Sequence, residues 1–260
     1  MKFSPRAPVI LLLLAAAALA LPACTASDAD RRALAQGFSD YQARRFDEAE
    51  NAAAAYLAKY PTGQNADEAL YLRGLARLAK SDTGGAAQDL TRAIQQSHRA
   101  DLIAKSWRAL ADIAFDATRY ADAAADYQKS LDAKGLSSAD AGYVDYRLGE
   151  SLQNQGDWDR ARPLLEKAAA AADPTIAQRA RDRAAARYFT LQFGAFRDTA
   201  NAAGLVRDLK SAALSAGIFP ESHDGQTIYA VRAGGYATWA AADQAREKLL
   251  AKYPLVTVYP

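Results

Sequence analysis

The chain has little of what most chemistry needs. Among 260 residues there is one cysteine, Cys24, so no intrachain disulfide can form. Its two histidines, His98 and His223, are far apart, and no metal-ligand spacing surrounds either. No nucleophile elbow or phosphate-binding glycine loop is present, and Ala233-Gly234-Gly235 lacks the spacing of one. These gaps argue against a cofactor, a metal and an enzyme. Net charge is small as well. Formal net charge is +2, and it falls to zero if residues 1–23, with Lys2 and Arg6, are removed. A neutral chain has no broad pull toward nucleic acid or an anionic bilayer. Proline is rare between residues 29 and 172. Pro61 ends a segment there, and Pro163 is expected in the first turn of a helix, where it is tolerated.

Long apolar runs are equally rare. The one that stands out is Val9–Leu21, at 13 residues too short to span a bilayer and suited to the core of an export signal. Leu21-Pro22-Ala23-Cys24 follows it and resembles a bacterial lipobox. That resemblance implies cleavage before Cys24, acylation of Cys24 and a lipid anchor. The other reading is ordinary cleavage that leaves a free thiol. Thr25 in place of Asp suggests the outer membrane, with the chain facing the periplasm. Residues 1–23 are thus read as a signal peptide and 24–28 as a lipidated tether.

What is abundant in the middle is alanine, on a period. Ala49, Ala86, Ala123 and Ala161 recur at intervals of 37, 37 and 38 residues. Phe46, Tyr120 and Trp158 stand three positions before three of them. Ala53, Leu90, Tyr127 and Leu165 stand four after, and Tyr56, Ala93, Ser130 and Ala168 seven after. Gly37, Gly74, Ala111 and Gly149 recur in the preceding helices. This resembles the tetratricopeptide (TPR) repeat, a pair of helices whose small residues permit close crossing. The resemblance implies an all-α solenoid over residues 29–187 that holds a protein partner. Trp107, Leu110, Tyr120, Tyr143, Tyr146, Leu152 and Trp158 are read as repeat core. Asp173 and Pro174 suit the start of a closing helix, with Ile176, Ala180 and Ala184 facing the last repeat.

The last segment, 188–260, changes period. Phe189, Leu191 and Phe193 alternate with Tyr188, Thr190 and Gln192; Tyr229, Val231 and Ala233 alternate with Ile228, Ala230 and Arg232. A helical pattern follows each strand, and shorter β-rich stretches lie at 218–222 and 255–259. The order is β-α-β-β-α-β, a ferredoxin-like unit with both helices on one sheet face. The other face is expected to be open, with Gln192 and Arg232 pointing to solvent. Leu191-Gln192-x-Gly194-Ala195-Phe196, a helix, then Tyr229-x-Val231-Arg232-x-Gly234-x-Tyr236 resembles the SPOR (sporulation-related) domain. That resemblance implies binding of peptidoglycan glycan strands stripped of stem peptides, through the open face. The candidate contacts are Tyr188, Thr190, Gln192, Ile228 and Arg232.

Two functions follow from these resemblances. One is a non-enzymatic lipoprotein of cell division or envelope organisation, which binds glycan through the last segment and a protein through the repeats. The alternative is an assembly factor for outer-membrane proteins, in which the last segment is only a tether. A glycan-cleaving carboxylate pair at Glu221 and Asp224 near His223 is a third reading; a solvated hairpin tip turning at Asp224-Gly225 is the plainer account of those residues. An RNA-binding sheet is disfavoured by seven Lys/Arg against six Asp/Glu in residues 188–260.

Overall fold

The computed structural model describes residues 25–223 and 225–260. The expected signal peptide, acylation of Cys24 and the Asp224 half of the hairpin turn lie outside the described residues. The described chain starts tightly. Ala26 is buried, and Ser27 caps helix α1 (Asp28–Gln42), its hydroxyl accepting from Asp30 N. Asp28, expected in the tether, is already helical. Asp30 also accepts from Lys59, the last residue of the neighbouring helix, and from Tyr60 just after it, and the Lys59 hydrogen bond leads the causes that hold its carboxyl down to about 2.

Four antiparallel helix pairs follow the period: α1 with α2 (Phe46–Lys59), α3 (Ala66–Ala79) with α4 (Thr83–Gln96), α5 (Ala100–Asp116) with α6 (Tyr120–Asp132), and α7 (Ser138–Gln155) with α8 (Trp158–Ala168). Ala49, Ala86, Ala123 and Ala161 are each the fourth residue of a second helix, and all four are fully buried. The residues four and seven positions later are buried too. The reason for small residues is geometric. A Cβ on Gly149 would stand 2.7 Å from Leu165 Cγ, and one on Gly74 would stand 3.0 Å from Leu90 Cγ. The turns repeat as well. Arg44, Ser81, Thr118 and Gly156, spaced like the alanines, close the first helix of each pair in the left-handed region. Only the fourth turn uses glycine there.

Two expectations need correction in this region. Pro163 is the sixth residue of α8, inside the helix rather than in its first turn, because α8 begins back at Trp158. There it removes a bond that an N–H would make to the Asp159 carbonyl. Trp107 is half-buried, with Lys129 Nζ 4.1 Å from its ring centroid, so it packs under a lysine at the surface and not in the centre of the repeat. Helix α9 (Pro174–Ala185) closes the array; Asp173 Oδ1 accepts from Thr175 N and Ile176 N, and Ala180 with Ile176 and Ala184 packs on the fourth pair.

The chain then enters an antiparallel sheet of β1 (Phe189–Phe196), β2 (Ala216–His223), β3 (Gln226–Tyr236) and β4 (Thr257–Tyr259), ordered β2-β3-β1-β4. Helices α10 (Thr199–Ser211) and α11 (Trp239–Glu247) cover one face. This is the ferredoxin-like arrangement. Phe189, Leu191, Phe193, Val231 and Ala233 form its core with Leu209 and Val256. Two irregularities keep β1 and β3 in step. Gln192 pairs with Arg232 but Gly194 with Val231, so Phe193 is an extra residue on β1. On β3 the compensating residue falls between Ala233 and Tyr236, where Gly234 takes a positive φ of 82°.

The repeats and the sheet share an interface. Trp158 was expected in the repeat core. Instead its ring lies 5.0 Å from Phe189, and its Nε1 donates to the Ala237 carbonyl at 2.8 Å. Tyr120 meets Trp239 edge-on at 5.9 Å between ring centroids. Gly156 lies so near Ala237 and Thr238 that a Cβ there would be 3.2 Å from the Ala237 carbonyl oxygen. An aromatic at the start of a repeat helix reads as core by its spacing. What redirects Trp158 is that no fifth pair follows, so the sheet takes the place of the next repeat.

Candidate functional site

Sheet register decides what shares the face away from α10 and α11. Gln192 on β1 is opposite Arg232 on β3 and Thr257 on β4, and Thr190 is opposite Tyr259. Across β2 and β3, Glu221 is opposite Ile228, Phe219 opposite Ala230, and Gly217 opposite Arg232. Directly opposed residues project to the same side. The five sequence candidates are therefore mostly brought together: Tyr188, Thr190 and Arg232 line one groove of about 410 Å³, and Gln192 bonds to Arg232. Ile228 lies on the same face but nearer the hairpin, outside that groove.

The face is less open than alternation implied. The end of α9 passes over it, so Asp182, Ala185, Ala186 and Arg187 form one wall of the groove. Arg232 is not a solvated charge; only 9% of it is exposed. It forms an ion pair with Glu221, its Nε donates to Gln192 Oε1 at 3.0 Å, and its guanidinium carbon sits 3.4 Å from the Tyr259 ring centroid. Glu221 also accepts from the Tyr259 hydroxyl at 3.1 Å, and burial pushes that phenol up. Thr190 is buried as well, its hydroxyl donating to the Tyr259 carbonyl at 3.3 Å. The physical reason is the same throughout. A guanidinium in the middle of a four-stranded face gains more from a carboxylate and a ring than from water it reaches poorly.

Three groove residues escaped the sequence reading. Phe219 is 41% exposed and stands on the face; Tyr259 caps Arg232; and Glu221, read as part of a solvated hairpin tip, is the partner of Arg232. Alternation along 217, 219 and 221 carried the signal for two of them. Around the groove, Tyr188 (50% exposed), Phe219 and Tyr259 supply rings, and Arg232 and Glu221 a fixed polar floor. Such a surface can cover apolar faces and exchange hydrogen bonds. Among the described residues, no group of three or more His, Cys, Asp or Glu could hold a metal.

In the helical array a second cavity of about 430 Å³ lies between α5, α7 and the start of α9, lined by Arg108, Asp112, Tyr143 and Ile176. Asp112 accepts from the hydroxyls of Tyr127 and Tyr143, and burial pushes its carboxyl up.

Fold and groove together define a helical-repeat protein that ends in a small sheet domain with a ligand-sized cleft. Residues 185–254 match the family model described as SPOR domain, and residues 24–126 match the one described as outer membrane lipoprotein (YfiO). The sheet segment is thus similar to a SPOR domain, and the first part of the helical array to an outer membrane lipoprotein. Two solved structures resemble it. One is described as the crystal structure of MamA protein, at 18% identity over 60% of this chain and 78% of that one, TM-score 0.47. The other is the TPR2AB domain of yeast Sti1 in complex with a pHSP90, at 20% identity over 61% and 69%, TM-score 0.37. No curated protein matches the chain.

Proposed function

We propose that this protein is a non-enzymatic envelope lipoprotein. An acylated Cys24 holds it to the outer membrane on the periplasmic side. Its sheet groove binds peptidoglycan glycan strands, and its repeats bind a protein partner in cell division or envelope organisation. The observation that carries the reading is the groove itself, most of whose lining, from Ala185 to Arg232, lies within the residues that match a SPOR domain. Sugar rings present apolar faces that Tyr188, Phe219 and Tyr259 can cover. Their hydroxyl and acetamido groups need donors and acceptors. With Oε1 taken by Arg232, the Gln192 amide nitrogen is the donor that remains. Thr190 and Ile228 flank these groups on the same face.

The test is a sacculus pull-down with and without prior amidase treatment, comparing the protein with Gln192→Glu. That substitution keeps an acceptor for Arg232, removes the donor and adds a negative charge on the same guanidinium as Glu221. One such bond is worth about 0.5–1.5 kcal/mol, so binding is expected to weaken roughly two- to tenfold. Unchanged binding by a folded variant would place the glycan elsewhere.

A second reading has its own observation, the match of residues 24–126 to the outer membrane lipoprotein model. In it the protein assists assembly of outer-membrane proteins, and the sheet domain is a tether. Deleting residues 188–260 separates the two, since assembly survives the deletion only on this second reading.

A further inference from the structure

Four formally charged side chains line the groove: Asp182, Arg187, Glu221 and Arg232. Three of them are engaged. Glu221 and Arg232 pair, and Asp182 accepts from Gln178 Nε2 at 2.8 Å. Arg187 is different. It is exposed, it stands in the bend between α9 and β1 just before Tyr188, and it makes no ion pair or hydrogen bond among the described residues. The groove therefore has a neutral paired floor and one guanidinium with all its donors free.

We infer that Arg187 reads the carboxylate that a muramyl residue exposes once its stem peptide is gone. The inference rests on the glycan reading above and extends it to a chemical group. In an intact strand the lactyl carbonyl is an amide and carries no charge. Hydrolysis of that amide leaves a carboxylate, so a stripped strand differs from an intact one in charge as well as bulk. The paired Arg232 reports the difference less, because Glu221 already balances its charge. A free guanidinium reports it through two parallel N–H···O bonds. Asp182, on the same wall, disfavours a carboxylate on its own side and so confines the anion to Arg187. Tyr188, next in the chain, offers the ring face for the sugar that bears the carboxylate. Arg187 would thus determine specificity from outside the sheet.

The experiment uses the full-length protein and two probes. The first is glycan strands freed of peptides by amidase. The second is the same strands with their lactyl carboxylates capped as methylamides by carbodiimide coupling. The protein is expected to bind the free-acid strands about three- to tenfold more tightly than the capped ones, as suits an exposed bidentate pair, and less so at high salt. In Arg187→Gln both strands should bind alike and weakly, while Arg187→Lys keeps part of the preference. Melting should not move, since the side chain is exposed. Equal binding of both strands by the unaltered protein overturns the role of Arg187 and leaves the glycan reading standing, as does a preference that survives in Arg187→Gln. Failure of both strands to bind at all removes the glycan reading, and this inference with it.

Discussion

Arg232→Ala should destabilise the sheet domain, although alternation places its side chain away from the core. The guanidinium is nine-tenths buried and makes three interactions at once: the Glu221 ion pair, the bond to Gln192 and the stack on Tyr259. Removing one partner of a fully buried pair costs about 3–5 kcal/mol, because weaker interactions are left to balance the other charge where water is scarce. The Glu221 side chain keeps 24% of its exposure, so water recovers part of that loss and about 2–3 kcal/mol is the better figure. For a domain of this size, that is a fall in melting temperature of about 10–20 °C. Circular dichroism melts and urea titrations measure it. Glu221→Gln in the same chain should recover part of the loss, with a coupling of at least about 1 kcal/mol in the double-mutant cycle. A melt within 2 °C of the unaltered protein, or strictly additive effects, would refute the argument, since then the ion pair is idle. It follows that lost glycan binding in Arg232→Ala is interpretable only beside its melt.

Other outcomes follow from single contacts. Gly149→Ala should destabilise by about 1–2 kcal/mol in urea, because its Cβ would lie 2.7 Å from Leu165, whereas Gly204→Ala in α10 meets nothing nearer than 3.9 Å and should stabilise by about 0.5–1 kcal/mol. Thr118, a β-branched residue at φ 57°, should yield up to about 1 kcal/mol of stability on change to Gly. Trp158→Ala removes the Ala237 bond and the Phe189 contact, so hydrogen exchange should rise at β1 and at the start of α11; unchanged protection there would show that the interface does not hold the domain. Cys24→Ala should leave the protein unprocessed or in the soluble fraction, and unaltered membrane fractionation and mature mass would end the lipidation proposal.

The helical array was legible in the sequence because its period is carried by residues with one job. Ala86, Ala123 and Ala161 sit at the same place in successive pairs, and all three are fully buried. The sheet was legible from strict alternation at Phe189, Leu191 and Phe193. The groove was half legible. Parity put Thr190, Gln192, Ile228 and Arg232 on one face, but parity says nothing of what covers that face. The wall from α9, the cap from Tyr259 and the Glu221–Arg232 pair join residues tens of positions apart, through contacts no local pattern records. Trp158 shows the same limit from the other side: its spacing is that of a repeat, and its neighbours are those of the sheet.

The tight start of α1 sets a distance. Ala26 is buried and Ser27 is the cap, so only three residue steps separate position 24 from the folded body. Fully extended, they reach about 10–11 Å. A lipid on Cys24 would then leave almost no leash. The body would ride at the bilayer surface, and any polymer caught in the groove would be held at a standoff fixed by the stacked helices themselves. On that view the four pairs are a ruler, and inserting or deleting one pair would change the gap between membrane and wall by a fixed step.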